Sequence, residues 1–238
     1  VTHFSWSPLV QAGVTRNLQF ILPHAGSISP ASLFPPPITS SSTPSTSSSS
    51  HNISLLPPPY ISSPLPTLLA LHLRRGDYIR HCPRLARWGA TFLGFNSFPE
   101  FGRDELWHEP EFLSYGAREE VYRRRCWPTV EEVVEKLKSV RDAWANHTAN
   151  AGTTGSSEER KLRHLYLMTN AWPSFVNELR EALLADGWET LTSSLDVERG
   201  LDGEQKWVSM AVDMAVAERA AVVVGNGVSI SHFSSRRL

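Results

Sequence analysis

Leu68-Leu69-Ala70-Leu71-His72-Leu73-Arg74-Arg75-Gly76-Asp77-Tyr78-Ile79-Arg80 is the stretch whose reading decides the fold. Its first half, Leu68 to Leu73, is a short apolar run with the length of a buried strand. The run breaks off in Arg74-Arg75-Gly76-Asp77. In open α/β sheets the carboxyl ends of the strands face the ligand crevice. Arginine there offers a planar, permanently charged fork suited to phosphate. Gly76 turns the backbone without a Cβ penalty, and Asp77 can fix one guanidinium while the other stays free. These residues make a candidate anion site. Two other readings compete with it. One is an ordinary solvated loop after a strand. The other is an adhesion tripeptide, Arg75-Gly76-Asp77, which needs an exposed flexible loop rather than a strand end.

Downstream, strands and helices alternate. Val130 to Trp144 reads as a helix, with Val130, Val133, Val134, Leu137, Val140 and Trp144 on one stripe and Thr129 with Glu132 as a capping box. Asn150 to Glu159 is a polar loop, and Leu165 to Met168 a buried strand. Pro173 to Ala185 is a helix with Phe175, Val176, Leu179, Ala182 and Leu183 inward and Gly187 as its stop. Trp188 to Leu191 reads as a strand, Gln205 to Arg219 as one helix, and Ala221 to Val224 as the last strand. The alternation implies an α/β fold, a parallel sheet with helices on both faces. Three strand ends carry polar residues: Arg74-Arg75, Thr169-Asn170, and Gly225-Asn226 leading to Ser229. For Thr169 and Asn170, turn chemistry and ligand contact weigh about equally. Asp213 lies off the apolar stripe of its helix and reads as a solvent-facing carboxylate.

Upstream the chain is different. Residues 1–25 read as the remnant of an upstream segment, with Leu18 to Leu22 as a short strand. Gly26 to Thr67 is rich in Ser, Thr and Pro and holds no Lys, Arg, Asp or Glu. Such a segment buries too little apolar surface to offset its chain entropy, so disorder is the expectation. It is either a mucin-like linker or a retained intron of the gene model. Trp88 to Tyr115 reads as irregular.

The net charge of −1 argues against a nucleic-acid binder, which usually carries a basic excess. Five arginines (Arg74, Arg75, Arg80, Arg84 and Arg87) nevertheless gather between Leu71 and Trp88 against Asp77 alone. They form either a solvated face or a positive rim around an anion. No apolar run spans a bilayer, and no signal peptide is visible. The chain begins with Val1, so it reads as an incomplete gene product whose missing targeting signals carry little weight. Cys82 and Cys126 are either buried thiols or one disulfide, and no HExxH pattern is present. Asn52-Ile53-Ser54 and Asn146-His147-Thr148 are sequons compatible with a secretory lumen.

His72-Leu73-Arg74-Arg75-Gly76-Asp77 resembles the His-x-Arg-Arg-x-Asp signature of the GDP-fucose protein O-fucosyltransferase superfamily, and Ile79 to Pro83 resembles its fungal branch. His164 to Ala171 is similar to the family's central strand. Val212-Asp213-Met214 with Val224 to Ser229 is similar to its closing nucleotide motif. The resemblance covers about Leu68 to Ser229. It implies the C-terminal Rossmann-like domain of a GT-B glycosyltransferase over residues 68–238. The implied reaction is inverting transfer of fucose from GDP-fucose to a protein Ser or Thr hydroxyl, with no obligatory metal or other cofactor. Arg74 matches the family's essential arginine. His72, Arg75, Asp213, Asn226 and Ser229 match nucleotide contacts, with Asp77, Thr169 and Asn170 in support. The second serine expected after Ser229 is replaced by Ile230. The resemblance also tips the cysteines toward a disulfide and the chain toward the endoplasmic reticulum or Golgi lumen. The implied partners are GDP-fucose and an acceptor protein or glycan, with no nucleic acid and no transmembrane segment in this chain. No glycine- and asparagine-rich loop of a first domain precedes Leu68. The second reading is therefore a noncatalytic GDP-sugar- or glycan-binding remnant of the same fold.

Overall fold

Ser7, Pro8 and the spacing Val10, Val14, Leu18, Ile21 make a helix of the amino-terminal segment, α1 (Pro8–Ile21). The Ser7 hydroxyl caps it by accepting from the Val10 amide at 3.4 Å, and Pro8 needs no amide partner in the first turn. The strand expected over Leu18–Leu22 is thus corrected: the apolar residues there continue a helical stripe that begins at Val10. The computed structural model describes residues 5–23, 28, 30–34, 65–88, 114–150 and 161–226. Among these, the remaining elements are α2 (Pro30–Leu33), β1 (Leu65–Leu73), α3 (Tyr78–Trp88), α4 (Tyr115–Cys126), α5 (Val130–Asn150), β2 (His164–Thr169), α6 (Pro173–Ala185), β3 (Thr190–Ser193), α7 (Ser194–Gly200), α8 (Gly203–Lys206), α9 (Ser209–Arg219) and β4 (Ala220–Gly225).

The four strands form one parallel sheet in the order β3-β2-β1-β4. β1 to β3 step in one direction, and β4 then joins the other edge of β1. One face of the sheet packs Leu68, Ala70, Tyr166 and Met168 against α1, α7 and α9. The other packs Leu69, Leu71, Leu73, Leu165 and Leu167 against α5 and α6. Helices on opposite faces are what right-handed crossovers require when the direction of travel reverses. The reversal falls between β1 and β4, and open α/β sheets bind ligands outside the carboxyl ends of the strands at such a point.

Several boundaries move from the sequence reading. The segment read as an upstream remnant shares its core with β1 and α9 through Val10, Val14, Leu18 and Ile21. The disorder expected over Gly26–Thr67 is corrected at both ends. Leu33 of α2 is buried, its carbonyl accepts from Arg219 Nε at 2.6 Å, and β1 begins at Leu65. Residues 35–64, with the Asn52 sequon, lie outside the described residues. Pro66 is tolerated inside β1 because the register against β4 slips between Leu65 and Leu69, where a missing amide disrupts no regular ladder. α5 runs on to Asn150, which puts Asn146 on the exposed side of its last turns. The single helix expected over Gln205–Arg219 is broken into α8 and α9, and Asp202 caps α8 through a capping box with Gln205. Of the stretch read as irregular, 89–113 lies outside the described residues; α3 ends at its first residue, Trp88, and α4 begins at its last, Tyr115. Gly187 follows α6 at φ 92°, a left-handed turn that glycine adopts without strain. No helix among the described residues is long and apolar enough to cross a membrane.

Candidate anion-binding site

The three polar strand ends meet. Leu73 pairs with Thr169 across β1 and β2, and His72 pairs with Gly225 across β1 and β4. The Thr169 hydroxyl donates to the Leu73 carbonyl at 2.6 Å, and the Asn226 amide donates to the His72 carbonyl at 3.2 Å. Because side chains alternate along a strand, His72 shares the face of Ala70, while Leu73 and Arg75 belong to the other. The two arginines therefore diverge.

Arg75 turns into the protein. Its guanidinium lies between the rings of Trp127 and Phe175, 4.1 and 3.8 Å from their centroids, and Nη1 donates to the Pro128 carbonyl. Burial pushes its pKa down to about 10. Arg75 is thus held as a packing element, with both faces of its guanidinium against rings and Nη1 bonded to the backbone. Neither Trp127 nor Pro128 was legible as its partner, because both lie fifty residues away, across α3 and α4.

Arg74 turns outward and keeps 45% of its side chain exposed. Asp77 accepts from its Nε at 3.4 Å and its Nη2 at 3.1 Å, and Tyr78 lies under its plane at 5.0 Å. A guanidinium has two bidentate edges. Asp77 occupies the side edge through Nε and Nη2, on a side chain that remains exposed. Asp77 is held below the usual carboxylate range, first by Arg74 and then by Asn170.

Asn170 and Asn226 fix the surrounding backbone. Asn170 Oδ1 accepts from the amides of Arg75 at 2.7 Å and Gly76 at 3.1 Å, and its Nδ2 donates to Asp77 at 2.9 Å. Asn226 Nδ2 donates to the carbonyls of Arg74 at 2.8 Å and Cys126 at 3.0 Å. The Asn226 side-chain NH2 expected at a nucleotide is thus spent on the backbone, while its Oδ1 is buried without a hydrogen-bond partner among the described residues. Cys126 closes a disulfide with Cys82 across α3 and α4, with Cα atoms 5.8 Å apart. Tyr78, Cys82 and Cys126 form a small buried cluster beneath Arg74.

His72 is half-buried on the α9 side of the sheet. Burial, then the charge of Arg74, holds its pKa below the ordinary histidine value. On the same face the Tyr166 hydroxyl donates to Asp213. Asp213 is therefore not the solvent-facing carboxylate read from its helix. Burial pushes its pKa up to about 6, and the charge of Glu198 adds to the shift. Tyr166 was missed because an apolar strand gives no sign that one of its rings carries a bonded hydroxyl. Ser229 lies outside the described residues. Among the described residues no three His, Cys, Asp or Glu side chains gather where a metal ion could be held.

No family model, no curated protein and no solved structure matches this chain.

Proposed function

We propose that this chain is the donor-binding half of an inverting O-fucosyltransferase, using GDP-fucose and a protein Ser or Thr hydroxyl. The observation that carries the reading is Arg74. It combines the motif resemblance with an exposed guanidinium at the carboxyl end of β1, where the strand order reverses. In the reaction the bond from fucose C1 to the β-phosphate oxygen breaks as the acceptor oxygen bonds to C1 from the opposite face. The acceptor loses its proton and GDP departs. Negative charge grows on the β-phosphate as the bond breaks, and a fixed cation stabilises that state more than the ground state. Arg74, oriented by Asp77, is suited to this task. The Cys82–Cys126 disulfide supports a place in the oxidising secretory lumen.

A second reading is a GDP-sugar- or glycan-binding protein without turnover. It draws support from Ile230 in place of the second serine and from the commitment of Arg75 and Asn226 Nδ2 to the protein itself. Calorimetry with GDP and GDP-fucose, followed by a donor-hydrolysis assay, separates the two. Binding with hydrolysis supports the transferase, binding without hydrolysis supports the second reading, and no binding contradicts the transferase and leaves only the glycan-binding form of the second reading.

A further inference from the structure

We infer that Asn170 is a positioning residue that selects which edge of the Arg74 guanidinium meets the ligand, so that one phosphate group is taken end-on by Nη1 and Nη2. The inference rests on the donor-binding reading above and adds a geometry to it. Asn170 performs two separable tasks. Its Oδ1 pins the turn through the amides of Arg75 and Gly76. Its Nδ2 holds Asp77 Oδ1, the same oxygen that accepts from Arg74 Nε. Asp77 Oδ2 then takes Arg74 Nη2. The relay Asn170, Asp77, Arg74 thus fills the side edge of the fork. Without it, Arg74 is a long, exposed side chain that loses rotamer entropy on meeting an anion. With it, part of that ordering precedes binding. Gly76 makes the arrangement possible, because a Cβ there would lie 2.7 Å from the Asn170 backbone carbonyl oxygen.

Asn170→Asp separates the two tasks. It keeps an acceptor for both amides and sets a like charge against Asp77. The direct readout is the Arg74 Nε–H resonance in nitrogen-15 NMR, assigned by its loss in Arg74→Lys. The second readout is GDP affinity by calorimetry. The resonance should exchange slowly in the unmutated chain and broaden away in Asn170→Asp. GDP affinity should fall about tenfold in Asn170→Asp, the loss of one charge-assisted hydrogen bond. A resonance or an affinity unchanged by Asn170→Asp overturns the inference. If GDP does not bind the unmutated chain, the donor-binding reading fails, and end-on phosphate capture fails with it; the resonance still decides whether the relay exists. If Asn170→Asp unfolds, Asp77→Ala replaces it, since Asp77 is exposed: loss of the resonance then supports the relay and its persistence overturns it.

Discussion

The Tyr166 hydroxyl, on a ring fully buried in β2, donates its hydrogen bond to Asp213 of α9. The bond ties the sheet to the helix that leads into β4. Burial nevertheless dominates the carboxyl, which titrates near 6 against an ordinary value of 3.8. Between those values the folded chain holds a proton that the unfolded chain has lost. The corresponding stability is present below the lower value and disappears as pH rises through about 6. Asp213→Asn, which still accepts from Tyr166, should raise stability at pH 7 by about 2 kcal/mol and flatten its dependence between pH 4 and 7. Urea denaturation across that range is the measurement. A variant less stable at pH 7 contradicts the account.

Arg75 and Arg74 should separate stability from binding. Arg75→Ala removes a guanidinium from between two rings and leaves the Pro128 carbonyl without its donor. Denaturant unfolding should show a loss of about 2–4 kcal/mol, and Arg75→Lys should recover little, because an ammonium cannot stack as a plane. Arg74→Ala should change stability by less than about 1 kcal/mol, since its pair with Asp77 is exposed.

The disulfide closes a loop between residues 44 positions apart. In the chain-entropy account, opening it should cost about 4 kcal/mol. Melting with and without dithiothreitol, beside a Cys82→Ala, Cys126→Ala double variant, reads the effect. Equal melting temperatures contradict a stabilising role.

Gly76→Ala places a methyl 2.7 Å from a backbone oxygen of Asn170, which has little room to yield. The turn should shift at a cost of about 1–3 kcal/mol, and GDP affinity should fall with it. Unchanged stability and affinity count against the close approach of the two strand ends.

The parallel sheet was legible because each strand is a short apolar run and each turn is marked by Arg, Asn or Gly. β1, β2 and β4 keep their places to within a few residues. α1 was misread because Leu18-Gln19-Phe20-Ile21-Leu22 is an apolar cluster by itself, and only Val10 and Val14 reveal its helical period. α4 gives almost no apolar signal. It is held by Ser114 at its start, by Arg123 to Glu132 at 2.7 Å, and by the disulfide at its end. The site was legible as a set of strand ends, not as a set of partners. That Asp77 holds Arg74 while two rings hold Arg75 depends on contacts between Arg75, Trp127 and Phe175, which no local pattern encodes.

Arg74 is proposed to meet the phosphate of guanosine diphosphate, and calorimetry of GDP against Arg74→Ala decides it. Arg84→Ala serves as the control, an arginine of the same basic stretch outside the motif. The account expects GDP affinity to fall between about tenfold and a hundredfold in Arg74→Ala, with the fold intact by circular dichroism and the control unchanged. Equal affinity for Arg74→Ala and the unmutated chain, or an equal loss in the Arg84→Ala control, contradicts it.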